Sequence, residues 1–118
     1  MEGSALLFIY GTLKRGCRNH ARLRAAAFLG EAWTESGYTL MDCGAYPGLV
    51  RSGGSERVCG ELYQFDASQL AALDAFEDAP GEFLRTSIQL SDGRVAQTYL
   101  YQGETANLRF YGAAWREE

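Results

Sequence analysis

The chain has 118 residues, of which 47% are hydrophobic, 13% aromatic and 22% charged. This length is typical of one domain, so we expect a single domain over residues 1–118. The hydrophobic fraction excludes an intrinsically disordered chain, which combines low hydrophobicity with high net charge. The net charge of −4 argues against a general nucleic-acid-binding protein and against binding to an anionic membrane.

Targeting and disulfide signals are weak. No apolar run approaches the roughly 18–20 residues that span a bilayer, and Ala5–Tyr10 is too short for the core of a signal peptide. Cysteine occurs three times, an odd number without a close pair, at Cys17, Cys43 and Cys59. Because such a pattern does not support a disulfide framework, we expect a cytoplasmic protein with reduced thiols.

The first half of the chain predicts strands and one short helix. Ala5–Tyr10 is a continuous apolar run, typical of a buried strand. Asn19 is a suitable N-cap for a helix that runs to about Phe28. Further strands are predicted near residues 29–36, 38–41 and 58–65.

The second half contains the helix with the clearest ends. Asp66, with Gln69 three residues later, resembles a capping box, and Pro80 stops the helix because a residue before proline avoids the α region. Asp92-Gly93 then predicts a tight hairpin between strands at about 83–91 and 94–101.

Period-two alternation in the first hairpin strand places four side chains on one face and Arg85 on the other; the four are Leu84, Thr86, Ile88 and Leu90. After Glu104 the spacing of Leu108, Tyr111 and Trp115 allows a short helical stripe. The sequence therefore predicts an α+β fold, a small and mainly antiparallel barrel-like sheet with two or three short helices.

The exit of the first strand is a candidate binding loop, formed by Tyr10, Gly11, Thr12 and Leu13. A glycine at a strand end lets a ligand approach the backbone, and the freed amides can then hold an anion or an oxyanion. An ordinary turn would have the same sequence.

Glu77 is a candidate general base. Helical spacing places it on the face of Leu70 and Leu73, and apolar surroundings raise the pKa of a carboxyl group toward neutrality. An ionised Asp74 one turn earlier would raise that pKa further. The alternative is a boundary glutamate whose carboxylate reaches solvent.

Five basic residues fall within eleven positions, and they could attract a carboxylate or a phosphate or simply form a solvated face; they are Lys14, Arg15, Arg18, Arg22 and Arg24. His20 is the only histidine, so neither a metal site nor a nucleophile–histidine triad is predicted.

Several segments together resemble the gamma-glutamylcyclotransferase-like family, most closely its short branch of gamma-glutamylamine cyclotransferases. They occur in order over residues 7–101, and the opening motif combined with the later Leu-Asp-x-Phe-Glu makes the set specific. The matching segments are Phe8–Gly16 with Asn19, Gly44–Gly48, Val58–Tyr63, Leu73–Glu77 and Arg85.

This resemblance implies a cavity that binds a gamma-glutamyl group and a reaction that releases 5-oxoproline and a free amine or amino acid, without cofactor or metal. It assigns Tyr10–Leu13 to holding the glutamyl group through backbone amides, Arg85 to substrate binding and Glu77 to acid/base catalysis. The family often has tyrosine two residues before the arginine, where this chain has Phe83.

Two other functions compete with this enzyme. A non-catalytic small-molecule binding module would keep the same fold and cavity, and Phe83 motivates that alternative. An interaction protein would use the basic segment to grip an anionic partner, RNA included. For the leading hypothesis we expect a small gamma-glutamyl substrate, with no nucleic-acid or membrane partner.

Overall fold

The computed structural model describes residues 4–23 and 26–117. Within them lie eight strands and one α-helix, α1 (Leu70–Phe76), together with single 3₁₀ turns at His20–Leu23 and Ala67–Gln69. The strands are β1 (Ser4–Ile9), β2 (Ala27–Trp33), β3 (Tyr38–Asp42), β4 (Pro47–Arg51), β5 (Cys59–Asp66), β6 (Phe83–Gln89), β7 (Val95–Tyr101) and β8 (Arg109–Gly112).

The strands form one curled sheet in the order β2-β5-β1-β7-β4-β3-β8, and β6 lies off this path, paired antiparallel with β7 along its whole length. Most pairs are antiparallel; β7 runs parallel to both β1 and β4. The sheet curls until a bridge between Thr34 and Leu90 joins the ends of β2 and β6. The α+β prediction is confirmed, and the sheet is a half-barrel.

Strand β1 is buried on both faces. Its Leu7 and Ile9 pack in the cluster that α1 covers, whereas Phe8 and the following Tyr10 enter the cluster inside the half-barrel. Alternating side chains of one strand thus serve two cores, which explains why β1 reads as a continuous apolar run. Gly60 of β5 permits this packing, because a Cβ there would lie 2.5 Å from the carbonyl oxygen of Ile9.

The helix predicted from Asn19 to Phe28 is wrong beyond its first turn. A 3₁₀ turn ends at Leu23, residues 24–25 lie outside the described part, and Ala27 and Phe28 already belong to β2. Phe28 pairs with Tyr63 of β5, so a non-local ladder decides the conformation of this segment.

The next two elements follow the prediction more closely. Asp66 caps the 3₁₀ turn before α1, accepting a hydrogen bond from the Ser68 amide at 3.0 Å, and Gln69 makes no reciprocal cap. The hairpin of β6 and β7 is confirmed, with Gly93 at φ +93° in its turn. Leu84 is nevertheless exposed, because the curled sheet buries this face of β6 only toward Ile88 and Leu90.

The tail, whose spacing allowed a short helical stripe, contains the strand β8. β8 pairs with β3, and Trp115 beyond it is buried in the half-barrel core. All three cysteines are free, as expected.

Candidate active site

A cavity of about 280 Å³ opens beside the end of β1. Its walls are the loop after β1, the Tyr46-Pro47 corner before β4, and the turn that joins α1 to β6. Tyr10, Gly11, Thr12, Leu13 and Glu77 all line it. The structure therefore brings five of the six predicted site residues to one cavity.

The Tyr10–Leu13 loop offers backbone donors to this cavity. Thr12 and Leu13 are buried, and among the described residues no protein acceptor takes the N–H groups of Gly11, Thr12 or Leu13. Buried N–H groups are nearly always paired, so donors left over at a cavity are suited to a bound carboxylate or oxyanion. The Tyr10 hydroxyl is already used, donating to the Tyr99 carbonyl at 2.6 Å.

Contacts from distant parts of the chain hold this loop. The Asn19 side chain donates to the Thr12 hydroxyl at 3.0 Å, and the Lys14 ammonium donates to the Trp115 carbonyl at 2.7 Å. Glu61 of β5 accepts from the Arg15 amide at 2.9 Å and from the Arg15 Nε at 3.4 Å. The loop conformation is therefore set by β5 and the tail as well as by its own sequence.

Glu77 is the C-cap residue of α1, and its amide donates to the Leu73 carbonyl at 3.0 Å. Its side chain is half-buried at the cavity wall. Burial first, and the neighbouring charge of Glu82 second, raise the pKa of Glu77 to about 7. A carboxyl group with this pKa exchanges protons readily near neutral pH.

Glu82 is the second cavity carboxylate, immediately before β6. The Tyr46 hydroxyl donates to its Oε2, and this hydrogen bond is the main reason why the pKa of Tyr46 is raised. The Tyr46 ring also packs against Phe83, with 6.1 Å between ring centroids. Phe83 thus serves as a packed wall of the cavity.

Asp74 and Arg85 form an ion pair behind the cavity. The Arg85 Nε donates to Asp74 Oδ1 at 2.8 Å and Nη2 donates to Oδ2 at 3.1 Å, while the Tyr99 hydroxyl donates to Oδ1 at 2.6 Å. Burial alone would raise the pKa of Asp74, but these hydrogen bonds lower it.

Two expectations change as a result. Arg85 does not line the cavity, since its guanidinium is engaged by Asp74 and by Gln97 of β7. The like charge that raises the pKa of Glu77 comes from Glu82, whereas Asp74 was expected to supply it. Asp74 is neutralised by Arg85, and no local pattern in the sequence signals that pairing across eleven residues.

Residues of the predicted basic cluster make separate contacts within the protein. Arg18 pairs with Glu117 and donates to the Ala45 carbonyl, and the Arg22 guanidinium lies 4.0 Å from the Phe76 ring centroid. Arg24 lies outside the described residues. These contacts favour a structural role for the segment over a surface that grips an anion.

Sequence reasoning missed several cavity residues, namely Tyr46, Asp78, Glu82 and Tyr99, and named Arg18 only as part of the basic cluster. Tyr46 lies in Gly44–Gly48, one of the segments that resemble the family, and this resemblance could have indicated it as a site residue. Asp78 follows Glu77 in a left-handed conformation, with φ +55°. Its carboxylate accepts from the Glu82 amide at 3.2 Å, so the turn itself brings Glu82 to the cavity.

Comparison with known proteins identifies the family and the fold. Residues 7–117 match the family described as gamma-glutamyl cyclotransferase, AIG2-like. A Vibrio cholerae protein named provisionally as a gamma-glutamylcyclotransferase is 45% identical over 97 residues, which cover 82% of each chain. The human protein named gamma-glutamylaminecyclotransferase is 40% identical over 94 residues, covering 73% of this chain and 61% of its own.

The fold has close counterparts among solved structures. The crystal structure of a mouse AIG2-like protein superimposes with a TM-score of 0.82 at 32% identity, covering 97% of this chain and 89% of that one. Among the described residues, no helix has the length and apolar character needed to cross a membrane.

Proposed function

Because the chain belongs to the gamma-glutamyl cyclotransferase, AIG2-like family, we propose that it is an enzyme that cleaves a gamma-glutamyl amine or gamma-glutamyl amino acid. The products are 5-oxoproline and the free amine. We further propose that residues 1–118 act as one domain and that the enzyme works in the cytoplasm, which suits its free thiols.

One observation carries the proposal. Glu77, whose pKa is raised to about 7, and the loop residues Gly11–Leu13 line the same cavity. A group that moves protons therefore stands beside donors suited to a developing negative charge. The cavity volume of about 280 Å³ suits a small substrate.

The chemistry needs no enzyme nucleophile, because the attacking group belongs to the substrate. Glu77 takes a proton from the α-ammonium of the glutamyl group, and the freed amine attacks the γ-carbonyl carbon. The new C–N bond closes a five-membered ring, and the γ-carbonyl oxygen carries the negative charge of the tetrahedral intermediate. Positioning the amine in a near-attack geometry supplies much of the rate enhancement.

Collapse of the intermediate breaks the original amide bond. Glu77 returns its proton to the leaving nitrogen, and the attacking nitrogen releases a second proton that ends on the same amine. The products are neutral lactam nitrogen and an ammonium, so protons and charge balance. Loop amides that stabilise the oxyanion would contribute about 3–4 kcal/mol, as comparable donors do elsewhere; if they bind the α-carboxylate instead, they contribute to affinity.

Arg85 acts indirectly in this scheme. Its ion pair with Asp74 ties α1 to β6, one helical turn before Glu77. We assign it as a positioning residue, in place of the substrate contact that the sequence suggested.

The test is release of 5-oxoproline, measured by mass spectrometry, from a panel of gamma-glutamyl amines and dipeptides. Wild type should form product, and Glu77→Gln should bind the same substrates without turnover. Glu104→Gln, at an exposed glutamate between β7 and β8, is the matched control and should retain full activity. Binding without product from every substrate by the wild type would favour the non-catalytic binding module, and full activity in Glu77→Gln would remove Glu77 from its role.

A further inference from the structure

Glu82 has acceptor capacity that the fold does not use. Its side chain is half-buried at the cavity, and Tyr46 donates to Oε2. Among the described residues nothing donates to Oε1 and no basic side chain forms an ion pair with Glu82. A carboxylate oxygen fixed in this way is suited to a charged donor from a ligand.

The charges that line the cavity are unequal. Glu77, Asp78 and Glu82 are acidic, and Arg18 is the one basic side chain among the described lining residues. The Arg18 charge is offset by Glu117, to which it donates at 2.5 Å. The cavity therefore favours a positively charged ligand group near the turn that carries Glu82.

Aromatic rings accompany this carboxylate. Tyr46 and Phe83 both line the cavity, and Phe83 also packs edge-on against Tyr101 at 5.6 Å between centroids. Carboxylate oxygens and aromatic ring faces both attract an ammonium ion. Phe83 adds no hydroxyl to this wall, and within residues 4–23 and 26–117 the Tyr46 hydroxyl bonds to Glu82 alone.

We propose that Glu82, fixed by Tyr46, selects substrates whose amine portion carries a second positive charge, as in a gamma-glutamyl diamine. This inference rests on the proposed function. The α-ammonium of the glutamyl group is a poor partner for Glu82, since an ionised carboxylate would stabilise the proton that the reaction must remove. A cation on the leaving amine keeps its charge throughout the reaction and can stay bound to Glu82.

The experiment compares two substrates of equal length, gamma-glutamyl-(5-aminopentyl)amide and gamma-glutamyl-hexylamide. Wild type should prefer the ammonium substrate in kcat/KM by about tenfold, as one charge-assisted hydrogen bond would give. Glu82→Gln should reduce that ratio to near one, because glutamine retains the shape and an acceptor for Tyr46 but lacks the charge that would bind the ammonium group. Tyr46→Phe should give an intermediate ratio, and Glu104→Gln should leave the wild-type ratio unchanged.

Several outcomes would overturn the proposal. An unchanged ratio in Glu82→Gln, including one in which kcat/KM falls equally with both substrates, would show that Glu82 does not recognise the leaving amine. Thermal melting checks that each variant is folded. Absence of 5-oxoproline from both amides, with cleavage of gamma-glutamyl dipeptides retained, would also overturn the proposal. Absence of 5-oxoproline from both amides and from every dipeptide would instead defeat the proposed function itself, so the two failures are distinguishable.

Discussion

Arg85 of β6 forms an ion pair with Asp74 of α1 through two hydrogen bonds, at 2.8 and 3.1 Å, and does not line the cavity. Asp74 lies one helical turn before Glu77 and also accepts from Tyr99. The arginine thus connects the helix that carries the proposed base to the sheet beneath it.

Arg85→Gln should lower both stability and turnover. Asp74 would keep only its bond from Tyr99, and the loss of two charge-assisted bonds between side chains that are 30% and 22% exposed should cost about 1–3 kcal/mol of unfolding free energy. We expect kcat to fall with KM nearly unchanged, because Glu77 would be less well placed. Denaturant unfolding and steady-state kinetics measure both effects.

Arg94→Gln is the matched control, since Arg94 forms an exposed ion pair with Asp92 in the hairpin turn. We expect no measurable change there. A raised KM without loss of stability in Arg85→Gln would support the original assignment of Arg85 to substrate binding. Arg85→Lys should recover part of the stability, because it restores the charge but not the two-point contact.

The pH dependence of stability should carry the signature of Glu77. Its folded pKa is about 7, against an ordinary value of 4.5, so between these values the folded chain binds more protons than the unfolded chain. Stability should therefore fall as pH rises from about 4.5 to 7, by about 3 kcal/mol, and level off above. Denaturant titrations should show this slope in wild type and not in Glu77→Gln; parallel curves would contradict the assignment.

The catalytic rate should increase with pH over the range in which stability decreases. Because the proposed mechanism needs Glu77 ionised, kcat/KM should rise with pH through about 7. Glu82→Gln removes the neighbouring like charge, so the midpoint of that rise should move to lower pH. A pH–rate profile of both proteins tests the shift, and an unmoved midpoint would show that burial alone sets the pKa.

Glu61 should affect substrate affinity from outside the cavity. It accepts from Arg15 and also from the Tyr63 hydroxyl at 2.9 Å, and it thereby anchors the segment that follows Leu13. Glu61→Gln should cost about 1 kcal/mol of stability and raise KM several-fold, because the loop amides would shift. Glu31→Gln, at the exposed register partner on β2, should change neither quantity.

Gly11→Ala should weaken binding without unfolding the protein. An added Cβ would lie 3.1 Å from Pro47 Cγ, and the rigid proline ring leaves the loop to move. We expect KM to rise with a melting temperature close to that of wild type. A KM equal to that of wild type would show that the loop and Pro47 tolerate the methyl group.

Elements with a local signal were predictable from the sequence. The apolar run of β1 and the Asp92-Gly93 turn each specify their conformation within a few residues, and both are confirmed. The segment at Ala27 and the strand β8 were mispredicted because their conformations come from pairing with β5 and β3. Such partners are far away in the chain and leave no trace in local spacing.

The site residues also divide into those that local sequence predicts and those that depend on distant contacts. The position of Glu77 on the apolar side of α1 follows from helical periodicity, and Gly11 follows from its place at a strand end. The carboxylate that raises the pKa of Glu77 is Glu82 and not Asp74. The reason is that Asp74 is paired with Arg85, whereas the carboxylate of Glu82 accepts only from Tyr46 among the described residues. Those contacts form only when β6 folds back onto α1 and the loop before β4.

The anchored loop after β1 bears on the entropy of ligand binding. Residues 12–18 are already held by the side chains of Glu61, Asn19 and Glu117 and by the backbone carbonyl of Trp115. The conformational freedom of this segment is lost during folding, before any ligand arrives. Association should therefore proceed close to lock-and-key, with most of the binding free energy retained as affinity.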